Sequence, residues 1–350
     1  MMKVLGYAAK SAQVPLAPFE FTRRDPRPDD VVFEVLYCGV CHSDLHQARN
    51  DWGISLYPLV PGHEVIGRVT AVGDQVTGVK LGDIVGVGCM VDSCRQCQPC
   101  QQGLEQYCEQ GNIQTYNGID PHDSLPTYGG YSQTMVTTQD FVLKIPAGMD
   151  PSSAAPLLCA GITTWSPLRR WHIGKGSKVA VVGLGGLGHM ALKLANALGA
   201  DVTLFTRSAS KEEDARQLGA HHVILSSSDA QMAEVAGTFD LIIDTVPYVH
   251  DINPYMSTLT LDGTLVFVGF LGDIDPMLNT VPLILGRRSV AGSCIGGIAE
   301  TQEMLDFCGQ HGITCDVEMI AIQDINQAYE RMLKSDVKYR FVIDMASLHA

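Results

Sequence analysis

Residues 179–208 read VAVVGLGGLGHMALKLANALGADVTLFTRS. Four apolar residues lead into Gly183, Gly185, Gly186 and Gly188, and Leu187, Met190, Leu194 and Leu198 then follow at steps of three, four and four. The run predicts a buried strand, the periodic leucines an amphipathic helix, and residues 202–206 a second strand. Gly183-x-Gly185-x-x-Gly188 between a strand and a helix is the context of a dinucleotide-binding turn. Gly183 allows the tight turn, Gly185 lets the backbone approach a pyrophosphate, and Gly188 lets the helix pack closely. With Leu184, Gly186 and Leu187, these residues would present the helix N-terminus to the anion.

Strand and helix patterns go on alternating outward from this stretch, with strand-like runs at 222–225, 241–244 and 264–268. The expectation is a doubly wound parallel sheet over residues 151–286, of the Rossmann type. Residues 1–150 differ, with short β-type runs at 31–37, 65–72 and 84–89 separated by turns such as GDQVTG. They predict a mainly-β domain. Residues 287–350, with an amphipathic stretch at 301–308 and a closing KYRFVID, would complete the sheet or return to the first domain. The expected class is α/β, a Rossmann domain inserted in a mainly-β catalytic domain.

An acidic residue about twenty positions past the glycine loop is the usual partner of the NAD ribose hydroxyls. This chain has Thr206, Arg207, Ser208 and Lys211 there instead. Hydroxyls and cations suit a 2′-phosphate, which a carboxylate would repel, so the expected cofactor is NADP(H).

Cys94, Cys97, Cys100 and Cys108 lie in CRQCQPCQQGLEQYC at a spacing that lets one loop close a four-thiolate zinc cage, a structural site. Cys41 in CGVCHSDLH, His63 and Glu64 in PGHE, and Cys159 in LLCAG form a second, dispersed set. Two thiolates and an imidazole leave a position open on zinc, as a catalytic site requires. The expectation is two zinc ions per chain.

The formal charge of −14, without any Lys or Arg run, argues against nucleic acid and anionic membranes as partners. The first residues have no sustained apolar segment, and the most apolar stretch contains five glycines. Neither a secretory leader nor a membrane span is expected. Eleven cysteines then read as metal ligands in a cytoplasmic protein rather than as disulfides.

Across nearly the whole chain, YCGVCHSDLHQ, VPGHE, the four-cysteine loop, APLLCAGITT, GGLGHM, ETQEMLDFC and DVKYRFVID resemble the zinc-containing medium-chain alcohol dehydrogenase family. The likeness is strongest to its cinnamyl alcohol dehydrogenase branch, among bacterial NADP-dependent aldehyde reductases. The resemblance implies a GroES-like first domain and an active site in the cleft beside the Rossmann domain. It implies that Cys41, His63 and Cys159 hold the catalytic zinc, with Glu64 as an exchangeable ligand and Asp44 orienting a ligand imidazole. Ser43 would exchange a proton with the substrate oxygen and pass it, by way of the cofactor ribose, towards His46. Thr163 would contact the nicotinamide and Arg340 the pyrophosphate. Residues 268–270 and 293–296 would line the nicotinamide ring, and Trp52, Met90 and Ile295 the substrate. Arg207 departs from the small hydroxyl residue common in the branch, and His42 stands where some relatives carry an arginine near the pyrophosphate.

The implied reaction is reduction of an aldehyde to a primary alcohol by NADPH over a broad range of substrates, in a cytoplasmic homodimer. A dedicated cinnamyl alcohol dehydrogenase is the rival enzyme, and a catalytically silent zinc-stabilised NADPH-binding protein is a rival of another class.

Overall fold

The computed structural model describes residues 1–269 and 272–349. Its contacts divide the chain into one unit formed by Met1–Cys159 with Gly296–Ala350 and another formed by Ala160–Ile295.

In the Ala160–Ile295 unit the runs around the glycine loop form a six-stranded sheet, parallel throughout. Its order is His222–Leu225, Asp201–Thr206, Lys178–Val182, Phe239–Asp244, Leu259–Phe267, Ser289–Gly292. The first strand in sequence therefore lies inside the sheet, and the order reverses beside it, which is the doubly wound arrangement. The helix after the loop runs Gly188–Ala197, and Met190, Ala191, Leu194 and Ala195 on it are fully buried. Of the expected stripe, Met190 and Leu194 lie on this face, whereas Leu187 and Leu198 flank the helix and are half-buried.

The glycine pattern has a steric cause. Gly183 has φ +89°, and a Cβ on Gly188 would come within 2.2 Å of the Gly183 carbonyl oxygen, so a side chain there would drive the helix off the strand. Around Gly185, by contrast, nothing lies within 4 Å of where a Cβ would stand.

In the other unit a seven-stranded sheet is built on the antiparallel pair Asp30–Gly39 and Val65–Val72, with Cys38 opposite Val65. Arg340–Asp344 pairs with Asp30–Gly39, placing Val342 opposite Gly39. The closing KYRFVID segment therefore returns to this unit, while Ser289–Gly292 ends the parallel sheet. The run at 84–89 is strand only over Ile84–Val87. Past Val87 the chain leaves the sheet, and Met90–Asp92 pairs instead with Ile113–Gln114. Val31, Phe33, Val65, Val85, Tyr131, Phe341 and Ile343 fill the core, all essentially inaccessible to solvent.

Candidate active site

Strand ends assemble the first cluster. Because Cys38 faces Val65 across an antiparallel ladder, the chain leaving one strand towards Cys41 meets the chain entering the other through His63 and Glu64. The Gly39 amide donates to the Glu64 carbonyl at 2.9 Å. Cys159 follows the 3₁₀ turn Ala155–Leu158 in the same unit. Cys41, His63, Glu64 and Cys159 are all buried, and each offers one ligand atom within 4.8 Å of the others.

Asp44 organises this cluster from the first turn of the helix His42–Arg49, where its side chain is inaccessible to solvent. One carboxylate oxygen accepts from the Gly62 amide at 3.1 Å and from His63 Nδ1 at 2.9 Å. The other accepts from the Cys41 amide at 2.9 Å and the Tyr131 hydroxyl at 3.4 Å. A single carboxylate thus fixes the backbone of one thiol donor and the ring of the imidazole, whose Nε2 is left free for the cluster.

Glu64 and Arg340 form a buried ion pair. Glu64 Oε2 and Arg340 Nε have no hydrogen-bonding partner among the described residues. Burial pushes the Glu64 carboxyl up to about 7, against the pull of the Arg340 charge. A buried carboxylate oxygen without a donor, next to two thiols and an imidazole, is the donor set zinc requires, so these residues fit the metal.

The other sulfur cluster fits a closed zinc site. The donor atoms of Cys94, Cys97, Cys100 and Cys108 lie within 4.8 Å of one another, and none of these thiols is in a disulfide. The Cys97 amide donates to Cys94 Sγ at 3.3 Å and the Cys94 amide to Cys108 Sγ at 3.4 Å. Backbone N–H groups of Gln96 and Cys97 draw the Cys94 thiol down to about 6, whereas burial raises Cys100 to about 12. With four thiols and no carboxylate or open position in the set, the arrangement suits structure rather than catalysis.

Ser43 is half-buried in the first turn of the helix His42–Arg49, and His46 lies three residues on, so the two share a helix face. His46 Nδ1 meets Asp51 Oδ2 at 2.7 Å, and its ring lies 5.4 Å from Trp52 and 6.3 Å from His42. Met90 is buried, and Trp52 and Ile295 are half-buried.

In the Ala160–Ile295 unit, the Thr163 hydroxyl on the helix Ala160–Arg170 is buried without a partner among the described residues. Thr206 ends its strand, and its hydroxyl accepts from the Ser208 amide at 3.2 Å. Lys211 Nζ donates to the carbonyl of Leu184 in the glycine loop at 3.1 Å. Burial, then the nearby Arg207, lowers the Lys211 pKa. Arg207 pairs with no carboxylate among the described residues and donates from Nη2 to the Tyr248 hydroxyl at 2.9 Å. The empty space at Gly185, the helix N-terminus and these cations fit a phosphate-bearing dinucleotide. The Ser293 amide donates to the Phe267 carbonyl at 2.9 Å, and Phe270 lies outside the described residues.

Residues 27–147 match the alcohol dehydrogenase GroES-like domain family, and residues 186–310 match the zinc-binding dehydrogenase family. Aldehyde reductase YahK of Escherichia coli is 53% identical over 348 residues, 99% of each chain. The chain belongs to the zinc-containing medium-chain alcohol dehydrogenase family. It is therefore an enzyme, and its α/β fold is that family's GroES-like and Rossmann pair. NADP-dependent alcohol dehydrogenase C 1 of Mycolicibacterium smegmatis is 52% identical over 351 residues, all of both chains. Among solved structures, a cinnamyl alcohol dehydrogenase from Sorghum bicolor superposes with TM-score 0.94 at 45% identity, over 98% of each chain. No helix among the described residues is long and apolar enough to cross a membrane.

Sequence reading did not find the Arg340–Glu64 pair, the Tyr131 contact to Asp44, or Cys89, whose thiol donates to the carbonyl of Leu158, the residue before Cys159, at 4.0 Å. None has a local signature, because each joins residues tens or hundreds of positions apart.

Proposed function

We propose that the enzyme reduces a broad range of aldehydes to primary alcohols with NADPH, using Cys41, His63, Cys159 and Glu64 to hold a catalytic zinc and Cys94, Cys97, Cys100 and Cys108 to hold a structural one. One observation carries the reading: two thiols, an imidazole and a donor-less carboxylate oxygen converge in a buried pocket braced by Asp44. Zinc, when bound, supplies a Lewis acid for the carbonyl oxygen, and NADPH supplies the hydride.

The chain's own residues do the rest. Asp44 accepts from His63 Nδ1, which fixes the tautomer that leaves Nε2 available as a donor atom. Ser43 gives a proton to the developing alcohol oxygen. His46, with a side chain 28% exposed, exchanges protons with solvent one helical turn away. Arg340 holds Glu64 by an ion pair to one carboxylate oxygen, which leaves Oε2 without a partner among the described residues and available to the donor set. Gly183 to Gly188 cradle the pyrophosphate, Thr206, Arg207, Ser208 and Lys211 take the 2′-phosphate, and Thr163 meets the nicotinamide. The NADP dependence of the Mycolicibacterium relative supports this choice of cofactor.

The proposed assembly is a homodimer. Val281, Ile284 and Leu285 on the helix Val281–Gly286 are 55–82% exposed, beside the outer strand Ser289–Gly292 of the parallel sheet. An apolar surface next to an open strand edge suits a second copy of the chain. Sedimentation equilibrium should give twice the chain mass of 37.8 kDa, and Leu285→Asp should give the single mass. Eleven free cysteines suit a reducing cytoplasm.

Initial rates on aliphatic and aromatic aldehydes with NADPH and with NADH test the function. Turnover across both classes, faster with NADPH, is expected. Equal efficiency with the two cofactors would refute the phosphate-site reading, and confinement to unsaturated aromatic aldehydes would favour a dedicated cinnamyl alcohol dehydrogenase.

A further inference from the structure

Tyr248 belongs to none of the motifs above and follows the strand Phe239–Asp244. The sheet order puts Lys178–Val182 between Asp201–Thr206 and Phe239–Asp244, with Val182 in register with Phe205 on one side and Asp244 on the other. Arg207 and Tyr248 therefore leave the carboxyl ends of the two strands that flank the glycine loop. That is where an open parallel sheet receives its ligand.

The two side chains meet there. The Arg207 guanidinium carbon lies 5.8 Å from the centre of the Tyr248 ring, and Nη2 donates to the Tyr248 hydroxyl at 2.9 Å. Tyr248 is 51% exposed, yet the loop carrying it is pinned. His250 Nδ1 lies 2.9 Å from the Tyr248 carbonyl oxygen, and His250 Nε2 lies 2.9 Å from Asp244 Oδ2. The Val246 amide donates to Asp244 Oδ1 at 3.1 Å. A phenol on a tethered loop, not a carboxylate, is thus the partner of an exposed arginine, and among the described residues the guanidinium keeps further N–H donors unspent.

We infer that Tyr248 is a positioning residue for cofactor choice, holding Arg207 by ring contact and one hydrogen bond so that its remaining N–H donors face the 2′-phosphate of NADP(H). This rests on the assignment of Arg207 to that phosphate. An arginine already held in place loses less side-chain freedom when the phosphate arrives, so the gain falls on the phosphorylated cofactor and spares the unphosphorylated one.

The test uses the full-length zinc-loaded protein and two probes without nicotinamide, 2′,5′-ADP and 5′-AMP, titrated by calorimetry. Tyr248→Ala should weaken 2′,5′-ADP about five- to tenfold, the scale of one exposed guanidinium–ring contact plus one hydrogen bond, and leave 5′-AMP within about twofold. Tyr248→Phe, which keeps the ring and loses the hydroxyl, should fall between. Adding Tyr248→Ala to Arg207→Ala should cost nothing further for 2′,5′-ADP. Equal weakening of both probes would make Tyr248 a contact of the adenosine itself and overturn the proposal, as would an unchanged 2′,5′-ADP affinity or additive losses in the double variant. If Arg207→Ala alone left 2′,5′-ADP unaffected, the assignment of Arg207 would fall. If Arg207→Ala weakened it and Tyr248→Ala did not, only the role of Tyr248 would fall.

Discussion

Replacing Asp44 by Asn should loosen the catalytic metal while leaving the four-cysteine site intact. The carboxylate accepts from four donors, two on each oxygen: the Gly62 amide and His63 Nδ1 on one, the Cys41 amide and the Tyr131 hydroxyl on the other. An amide side chain keeps one acceptor oxygen and turns an NH₂ group on the other pair. In the better orientation the oxygen stays with His63 and Gly62. The Tyr131 hydroxyl can rotate and accept, so the contact destroyed is the one to the Cys41 amide. Losing that charge-assisted bond and weakening the one to His63 costs roughly 2–4 kcal/mol of stability. Because Cys41 and His63 are both donors in the cluster, zinc affinity there should fall about 10- to 100-fold. Competition with a chromogenic chelator reads the two sites as separate phases, and in Asp44→Asn only one phase should move, the one that Cys159→Ala abolishes. A folded variant with wild-type affinity in both phases would refute the claim that Asp44 braces the metal donors.

Cys97→Ser should remove one zinc per chain and lower the unfolding temperature by about 10 °C or more, measured by elemental analysis and calorimetry, because the loop at 94–108 has little apolar packing of its own. Ser43→Ala should reduce kcat about 100-fold and His46→Gln about tenfold, with KM for the aldehyde little changed in steady-state assays. His250 lies between two acceptors, the Asp244 carboxylate and the Tyr248 carbonyl, with Arg207 and the Tyr255 ring also facing it. The hydrogen bond to Asp244 raises its pKa despite burial. A raised folded-state pKa adds stability that is complete below the ordinary histidine value near 6.5 and lost as pH climbs through the raised one. Urea midpoints of the wild type should therefore fall as pH rises above about 6.5 by more than those of His250→Gln.

The sequence shows most where function depends on neighbours along the chain. The strand, glycine turn and helix at 179–198 are legible because 3.6-residue periodicity and steric demands at glycine are local, and Met190 and Leu194 are buried as that period requires. The four-cysteine loop is legible for the same reason, one short segment providing every donor. Cys41, His63 and Cys159 stand out as metal-type residues, but only the resemblance joins them into one site, since spacing alone does not tie residues 22 to 118 positions apart. What brings Cys41 to His63 is the pairing of Cys38 with Val65, a register that no local pattern encodes, and Cys159 joins them from the turn Ala155–Leu158. The resemblance assigns Arg340 to the pyrophosphate, and its ion pair with Glu64 has no trace in the sequence, because it is the pairing of Val342 with Gly39 that carries the start of that strand to the metal cluster. Tyr248 was invisible for the opposite reason. It stands in an irregular loop, and its significance comes only from what the neighbouring strand end delivers to it.

Zinc counting joined to NADPH-linked turnover in wild type and Cys159→Ala tests the central claim most directly. Two zinc ions per chain are predicted in the wild type, and one in Cys159→Ala, with an unchanged fold by circular dichroism and turnover lost. A Cys159→Ala protein that kept both metal ions and still reduced aldehydes would contradict the account.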